Sequence, residues 1–326
     1  GLRDAGDMTT PKFDDITTLG VIGAGTIGAS WAAYFLARGY QVIVWDPAAG
    51  WADRLDDMIA TAWPQLEELG VVVAGAAPRP VRAASPEEVV AGATVIQESA
   101  LENMAVKRAL YAQMDAVMTP DHVILSSTSG LIMSEMQAGL SHAARFVVGH
   151  PFNPPHLIPL VEVVGGADTD PALIDWALGF YDHIGKHAIR INKEVPGHLA
   201  NRLQAALWRE ALLALKDGLA SVADIDAAIA KGPGLRLALF GPHMIFALAG
   251  GKGGMAHFLD HLVPGIHAWW RAMDEIDPEI TPDLARALID GVADEAGART
   301  IDDLEAERDQ RLLALLKMLR DTPSAR

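Results

Sequence analysis

The sequence predicts an α/β protein in two parts: an N-terminal doubly wound, mainly parallel sheet, then an all-α C-terminal domain. Three observations predict it. Short apolar runs alternate with helix-length segments through the first part of the chain, the pattern that builds a parallel sheet with helices on both faces. The segment VIGAGTIG, Val21–Gly28, sets three glycines between the first apolar run and the first helix-like stretch. Beyond about Pro196 the strand-like runs stop, and apolar residues recur at helical spacing. The expected division is a tail over residues 1–14, a nucleotide-binding domain over 15–195 and a helical domain over 196–326.

Element by element, TTLGVI (17–22) reads as the first strand and Thr26–Arg38 as a helix, closed by Gly39 as its left-handed cap. QVIVW (41–45) is the second strand. Residues 50–69 give a helix that Pro64, with no backbone N–H, is expected to kink or split. VRAA (81–84), TVIQE (94–98) and HVILSS (122–127) follow as strands, separated by the Ser-capped SPEEVV and by a helix over Asn103–Val117. RFVVGH (145–150) and IPLVEVV (158–164) are strands, and Pro171–Ile184 is a helix. LANRLQAALWREALLALKDG is helical up to Gly218, SVADIDAAIAKG is a short helix, and the last forty-odd residues share that texture. This apolar second part implies one large helical domain or a buried subunit interface.

Composition excludes several functions. Half of the 326 residues are hydrophobic and 21% are charged, as in a globular protein. The formal net charge is −16 and no Lys/Arg cluster occurs, so neither nucleic acid nor an anionic membrane is an expected partner. Cysteine is absent, which removes disulfides, thiolate metal sites and a Cys nucleophile, and fits a cytoplasmic location. Residues 16–37 carry no formal charge, enough to raise a membrane helix. The glycines at 20, 23, 25 and 28 and the lack of a basic flank favour a buried strand–loop–helix instead. The first seven residues, GLRDAGD, precede Met8 and are open to being an addition ahead of it.

The glycine segment carries a physical reading. Gly23 allows a tight turn, Gly25 lets backbone N–H groups approach a pyrophosphate, and Gly28 lets helix pack on strand. The helix N-terminus at Thr26 and Ile27 favours the anion. Asp46 ends the second strand, where it can accept from both ribose hydroxyls and would repel a 2′-phosphate, so NAD is expected over NADP.

A second signal is Glu162, a lone carboxylate inside LIPLVEVVGG. A buried carboxylate needs a partner, and His150 lies twelve residues earlier, at a strand end. If they meet, Glu162 fixes the imidazole tautomer and favours its protonated form, as a general base requires; a purely structural hydrogen bond fits the spacing equally well. Ser126, Ser127, Thr128 and Ser129 make a polar patch at another strand end, and Asn153 and Asn201 each need a partner. His257 and His261 share a helix face with Asp260, but no Glu follows the first histidine as in H-E-x-x-H, and no metal is expected.

GHPFNPPHLIPLVEV, SSTSG, ESALENMAVK and EVPGHLANRL, together with the glycine segment, resemble the L-3-hydroxyacyl-CoA dehydrogenase superfamily in order and spacing from about Gly20 to Gly241. The resemblance implies a Rossmann-like domain plus a helical domain that forms a homodimer. It implies that His150 is the base, Glu162 its orienting partner, and Ser129 and Asn201 the groups that hold the substrate oxygen. It also sets Glu102, Lys107 and Asn153 along the nicotinamide side of the cofactor, and Ser127 is a further cofactor-binding candidate. Members of this superfamily act on acyl-CoA thioesters or on free 3-hydroxy acids. Residues 50–69 carry Asp53, Asp56, Asp57, Glu67 and Glu68 against Arg54 alone, a poor surface for CoA phosphates. The resemblance thus implies NAD-dependent oxidation of a small free 3-hydroxy acid, carnitine ahead of a sugar acid such as gulonate, with an acyl-CoA third. An acidic protein draws in a quaternary ammonium group, and Trp208, Phe240 and Phe246 are candidate aromatic walls, with core packing as their other reading. The stretch LFGPHMIFALAGG (239–251), with Pro242, His243 and Phe246, departs from the carnitine branch. A non-enzymatic NAD-binding protein is the remaining alternative, disfavoured by the complete Ser/His/Glu/Asn set.

Overall fold

The computed structural model describes residues 10–273 and 278–322. The chain runs β1 (Thr18–Ile22), α1 (Thr26–Ala37), β2 (Gln41–Trp45), α2 (Trp51–Glu68), β3 (Val81–Arg82), α3 (Pro86–Gly92), β4 (Val95–Glu98) and α4 (Met104–Asp115). It continues through β5 (Val123–Ser126), α5 (Met133–Met136), β6 (Phe146–Pro151), β7 (Leu160–Gly165), α6 (Pro171–His183), β8 (His187–Arg190) and α7 (Ala200–Lys216). The strands form one eight-stranded sheet in the order β3-β2-β1-β4-β5-β6-β7-β8. β3 through β6 in that order are parallel; β7 runs antiparallel to β6, and β8 is parallel to β7. The order reverses between β1 and β4, the place where doubly wound sheets open a crevice at their carboxyl ends.

Alternation along the strands fills two cores. Leu19, Val21, Val123, Leu125 and Val147 face one side, packed against α1, α2 and α6. Ile22, Ile124, Phe146 and Val148 face the other, against α3 and α4. β4 and β5 are buried along their whole length, so neither shows the alternation of a half-exposed strand. Trp31 of α1 stacks on Phe35 at 5.1 Å between centroids and sits fully buried beneath the sheet.

Several elements differ from the sequence reading. α2 is continuous through Pro64. Pro64 and Ala60 are both on the solvent side, so water can take up the freed Ala60 carbonyl, while Leu55, Ile59, Ala62 and Leu66 hold the helix from below. VRAA pairs only at Val81–Arg82, and β8 and α5 are additional elements. The tail reading fails for its described part: Pro11 accepts a 2.7 Å hydrogen bond from Trp176 Nε1, and Phe13 packs on Trp176 and Phe180. Residues 1–9 of that tail lie outside the described residues.

The chain falls into two compact units that divide at Asn201/Arg202 and at Arg308/Asp309. The second division is absent from the sequence reading, which gave everything past Pro196 to the helical part. Lys317 Nζ lies 3.0 Å from Glu68 Oε1 and Arg320 donates to the Leu69 carbonyl at 2.9 Å, which ties the end of the chain to α2. The described residues of the second unit form helices and no strand: most of α7, then α8 (Val222–Ala230), α9 (Pro233–Leu237), α10 (Pro242–Ala249), α11 (Gly254–His261), α12 (Val263–Ala272) and α13 (Pro282–Ala296), followed by the start of α14 (Ile301–Asp321). Phe246 packs on Phe258 at 5.0 Å, while Trp208, Phe240, Trp269 and Trp270 are exposed. Among the described residues no helix is long and apolar enough to cross a membrane.

Candidate functional site

The β1–α1 turn is shaped by its glycines. Gly23 has φ +91°, and a Cβ there would lie 2.4 Å from the Ser99 carbonyl oxygen. A Cβ on Gly28 would lie 1.7 Å from the Gly23 carbonyl oxygen, so that position admits only glycine. Around Gly25 a Cβ would meet nothing within 4 Å. Gly25 is the N-cap of α1 and no side chain caps the helix; the first helical bond is Ala29 N–H to the Gly25 carbonyl at 2.9 Å. The N–H groups of Thr26, Ile27 and Gly28 precede that bond and present the positive end of α1 to open space. Asp46 accepts from the Ala24 N–H and the Ala48 N–H, each at 2.7 Å. Each of its oxygens retains lone-pair capacity for a ribose hydroxyl. Open backbone, an uncapped helix start and a terminal acid fit a dinucleotide.

Across the switch point, the ends of β4 and β5 are joined by polar side chains. Gln97, buried, donates to Ser127 Oγ at 2.7 Å and to the Gly149 carbonyl at 3.1 Å, and accepts from Tyr181 at 2.7 Å. Ser127 Oγ also lies 2.8 Å from Ser99 Oγ. Glu98 is 0% exposed. Its Oε1 receives Lys107 Nζ at 2.6 Å and the Ala100 N–H at 2.7 Å; its Oε2 receives the Tyr111 hydroxyl at 2.6 Å and Ser126 Oγ at 2.9 Å. Burial, together with the charge of Glu98, raises the Tyr111 phenol well above its ordinary value, so it stays a neutral donor. Lys107 is therefore not on the rim of the crevice: it is 1% exposed, bound to Glu98 and the Ala100 carbonyl, and 3.9 Å from Glu102.

His150 and Glu162 are directly opposed residues of the antiparallel β6–β7 pair. His150 Nδ1 lies 2.8 Å from Glu162 Oε2, so the ring nitrogen carries its proton toward the carboxylate. Nε2 of His150 makes no hydrogen bond among the described residues. The other carboxylate oxygen, Oε1, accepts from the N–H groups of Leu199 at 3.1 Å and Ala200 at 2.8 Å, the start of α7. Burial pushes the Glu162 carboxyl upward, but the His150 bond, the Ala200 N–H, the charge of His150 and the Leu199 N–H outweigh it. The net effect holds Glu162 below the ordinary carboxylate range.

α7 also carries Asn201, whose Nδ2 donates to the Ser129 carbonyl at 2.9 Å. Ser129 is held from the other side by Glu102, whose Oε1 accepts from Thr128 Oγ1, the Ser129 N–H and Ser129 Oγ at 2.7, 2.9 and 3.2 Å. The structure thus gathers His150, Glu162, Ser129, Asn201 and Glu102 into one set. Asn153 is exposed, and its side chain makes no hydrogen bond among the described residues. It lies on the proline-rich connection between β6 and β7. That connection is pinned by Lys186, which donates to the Pro155 carbonyl and, at 3.2 Å, to that of Ile158, over the Tyr34 ring at 3.9 Å. Burial pulls Lys186 down to about 7. His156 of the same loop bridges Ser30 of α1 and Gln65 of α2 at 2.7 and 2.6 Å.

Sequence reasoning missed Glu98, Gln97, His198 and Lys186. Glu98 gave a weaker form of the Glu162 signal: an acid at the end of a short strand rather than inside one. His198 gave none: it is 2% exposed with φ +51°, alone among described non-glycine residues in having positive φ. His257 and His261 stack at 4.1 Å, yet among the described residues no group of three or more His, Asp or Glu is arranged to hold a metal.

Residues 18–195 match the family model described as 3-hydroxyacyl-CoA dehydrogenase, NAD binding domain, and 197–276 match the C-terminal domain of the same family. The chain is 50% identical to a protein named L-carnitine dehydrogenase from Streptomyces griseus, over 93% of this chain and 90% of that one. It is 47% identical to the protein of the same name from Streptomyces coelicolor, over 95% and 96%. Among solved structures it is similar to an NAD+-dependent 5-formyl-3-hydroxy-2-methylpyridine 4-carboxylic acid 5-dehydrogenase, with TM-score 0.80, 27% identity, and 94% and 99% of the two chains covered. The glycine turn and the opposed His150–Glu162 pair both fall within the matched residues: the chain belongs to the 3-hydroxyacyl-CoA dehydrogenase family and binds NAD through its first domain.

Proposed function

We propose that the protein oxidises the 3-hydroxyl of a free 3-hydroxy acid, L-carnitine, to the 3-oxo acid. The observation that carries this reading is the run of relatives named L-carnitine dehydrogenase, 41–50% identical over nine-tenths or more of this chain. The β1–α1 turn and Asp46 would hold NAD, which when bound would supply the acceptor for the hydride from C3. His150 Nε2 takes the hydroxyl proton. Glu162 fixes the Nδ1–H tautomer, so that Nε2 is the lone-pair nitrogen, and steadies the cation that forms. Ser129 Oγ and the Asn201 amide orient the hydroxyl oxygen, with Glu102 and Glu162 holding the turn and the helix that carry them. Glu102, Ser127 and Asn153 line the nicotinamide side, and Lys107 acts there through Glu98 and Glu102.

Two features favour a free acid over a CoA thioester. α2 presents its five carboxylates against a single arginine, and Arg82 and Lys317, which approach it, pair with its Asp56 and Glu68. The test is NADH formation with L-carnitine, L-gulonate and L-3-hydroxybutyryl-CoA in parallel. Turnover of carnitine at a kcat/KM well above the other two is expected; preference for the thioester overturns the substrate reading, and tight NAD binding without turnover overturns the enzymatic one. We infer further that it is a cytoplasmic homodimer joined through the helical unit, where Leu203, Leu207, Trp269 and Trp270 are exposed. Sedimentation of the same preparation as a 34.7 kDa monomer would overturn that.

A further inference from the structure

We propose that His198 is a positioning residue of this site: a neutral imidazole that clamps the Thr128–Ser129 turn to the start of α7 and leaves His150 as the ring of the pair that takes a proton. The inference rests on the reading of His150 as the base. His198 lies between the two groups assigned to the substrate oxygen. Its Nε2 is 2.9 Å from the Thr128 carbonyl, an acceptor only, so Nε2 carries the proton. One residue along that turn is Ser129, whose carbonyl accepts from Asn201. Two successive carbonyls of the turn are thus held by two side chains three residues apart, at the start of one helix. The same short segment gives its Leu199 and Ala200 N–H groups to Glu162. Ser129, Asn201 and the His150–Glu162 pair are therefore cross-braced through residues 198–201.

The backbone supports a dedicated placement. Gly197 and His198 are both left-handed, with φ +79° and +51°; histidine tolerates that region better than most side chains, and the turn aims its ring inward to 2% exposure. A Cβ at Gly130 would lie 3.0 Å from the Gly197 nitrogen, so the two turns meet at backbone distance. The His198 ring is 5.2 Å from that of His150, tilted by 47°. Charged groups reach His198 from each neighbouring element: His150 on β6, Glu162 on β7 and Glu102 before α4. Burial lowers His198 most, its Thr128 bond opposes, a charge on His150 lowers it again, and the two glutamates oppose; the net direction is down. Of these two rings, His150 is the one with a carboxylate in direct contact to stabilise a cation.

The first test uses the unaltered protein. Long-range imidazole proton–nitrogen NMR, with the ring assigned through its amide resonance, should find His198 in the neutral Nε2–H form at about pH 7–8, with its titration displaced below that of an ordinary histidine. A cationic His198 in that window, or the Nδ1–H tautomer, overturns the proposal. The second test is His198→Phe against His198→Asn. The phenylalanine keeps the ring but loses the donor, and should raise KM for the hydroxy acid about tenfold with NAD affinity unchanged. The asparagine keeps a donor and the left-handed backbone, and should recover part of that loss. A wild-type KM in His198→Phe overturns the clamp. Turnover in His150→Gln would remove the base reading while leaving both His198 results in place.

Discussion

Two buried glutamates stand on the same sheet, and they do different work. Glu98 at the end of β4 and Glu162 in β7 are both 0% exposed, and each uses both oxygens. Glu98 has four donors, among them a lysine that is itself fully buried. Lys107 directs its ammonium at one Glu98 oxygen while Tyr111 and Ser126 hold the other, so this centre braces β4, α4 and β5. Glu162 has a histidine instead. Imidazole carries a second nitrogen, and in His150 that nitrogen is open. The difference teaches that saturation of a buried carboxylate is not the mark of a working site; the mark is a partner with one function satisfied and one left over.

The largest break in this comparison is His150→Gln. It removes the nitrogen left over, and kcat should fall roughly 10³–10⁴-fold, with NAD affinity and melting temperature held. Near-wild-type kcat would mean that the two centres are both braces. Next comes the Glu98 side. Glu98→Gln strands a buried ammonium and should cost about 3–5 kcal/mol in urea unfolding. The double change Glu98→Gln with Lys107→Met should cost much less than the two single changes added together, because no charge is then left without its partner. Additive costs would show that the pair is not one unit.

Much of this contrast could be read from residues alone, and the rest has physical reasons for its silence. Glu162 and His150 were visible because an acid in an apolar strand demands a partner, and antiparallel register then makes them direct neighbours. The glycine turn was visible because each glycine has a steric reason. The partner of Lys107 was not: Glu98 and Lys107 are nine residues apart across a strand, a turn and a helix start, and no periodicity relates them. Pro64 misled because local chemistry says break while the buried face of α2 says continue. β8 was hidden by its brevity and by partial exposure, which leave HAIR without an apolar run. The division at Arg308 depends on where α14 packs, which pattern along a helix does not encode.

Glu162→Gln is the smallest change and the sharpest. A carboxylate has two acceptor oxygens, and Glu162 uses one for His150 and one for the start of α7. Glutamine has one. If its oxygen faces His150, its NH₂ confronts the Leu199 and Ala200 N–H groups; if it turns, His150 must accept at Nδ1, and the ring proton moves to Nε2, where it blocks the base. Either way kcat/KM should fall by about 10²-fold, since a positioned base loses its tautomer or its helix. The pH dependence of stability separates this from a packing defect. The folded carboxyl lies below its unfolded value, so the unfolded chain binds more protons in the interval between the two. The stabilisation from Glu162 is therefore complete above the unfolded value of about 4.3 and is lost as pH falls through the lower folded value. Melting of wild type and Glu162→Gln from neutral to acid should find the gap between them constant at first and then closing. A gap that widens on acidification would mean that Glu162 is protonated in the folded protein, and its role would then be that of a donor to His150, not a charge beside it.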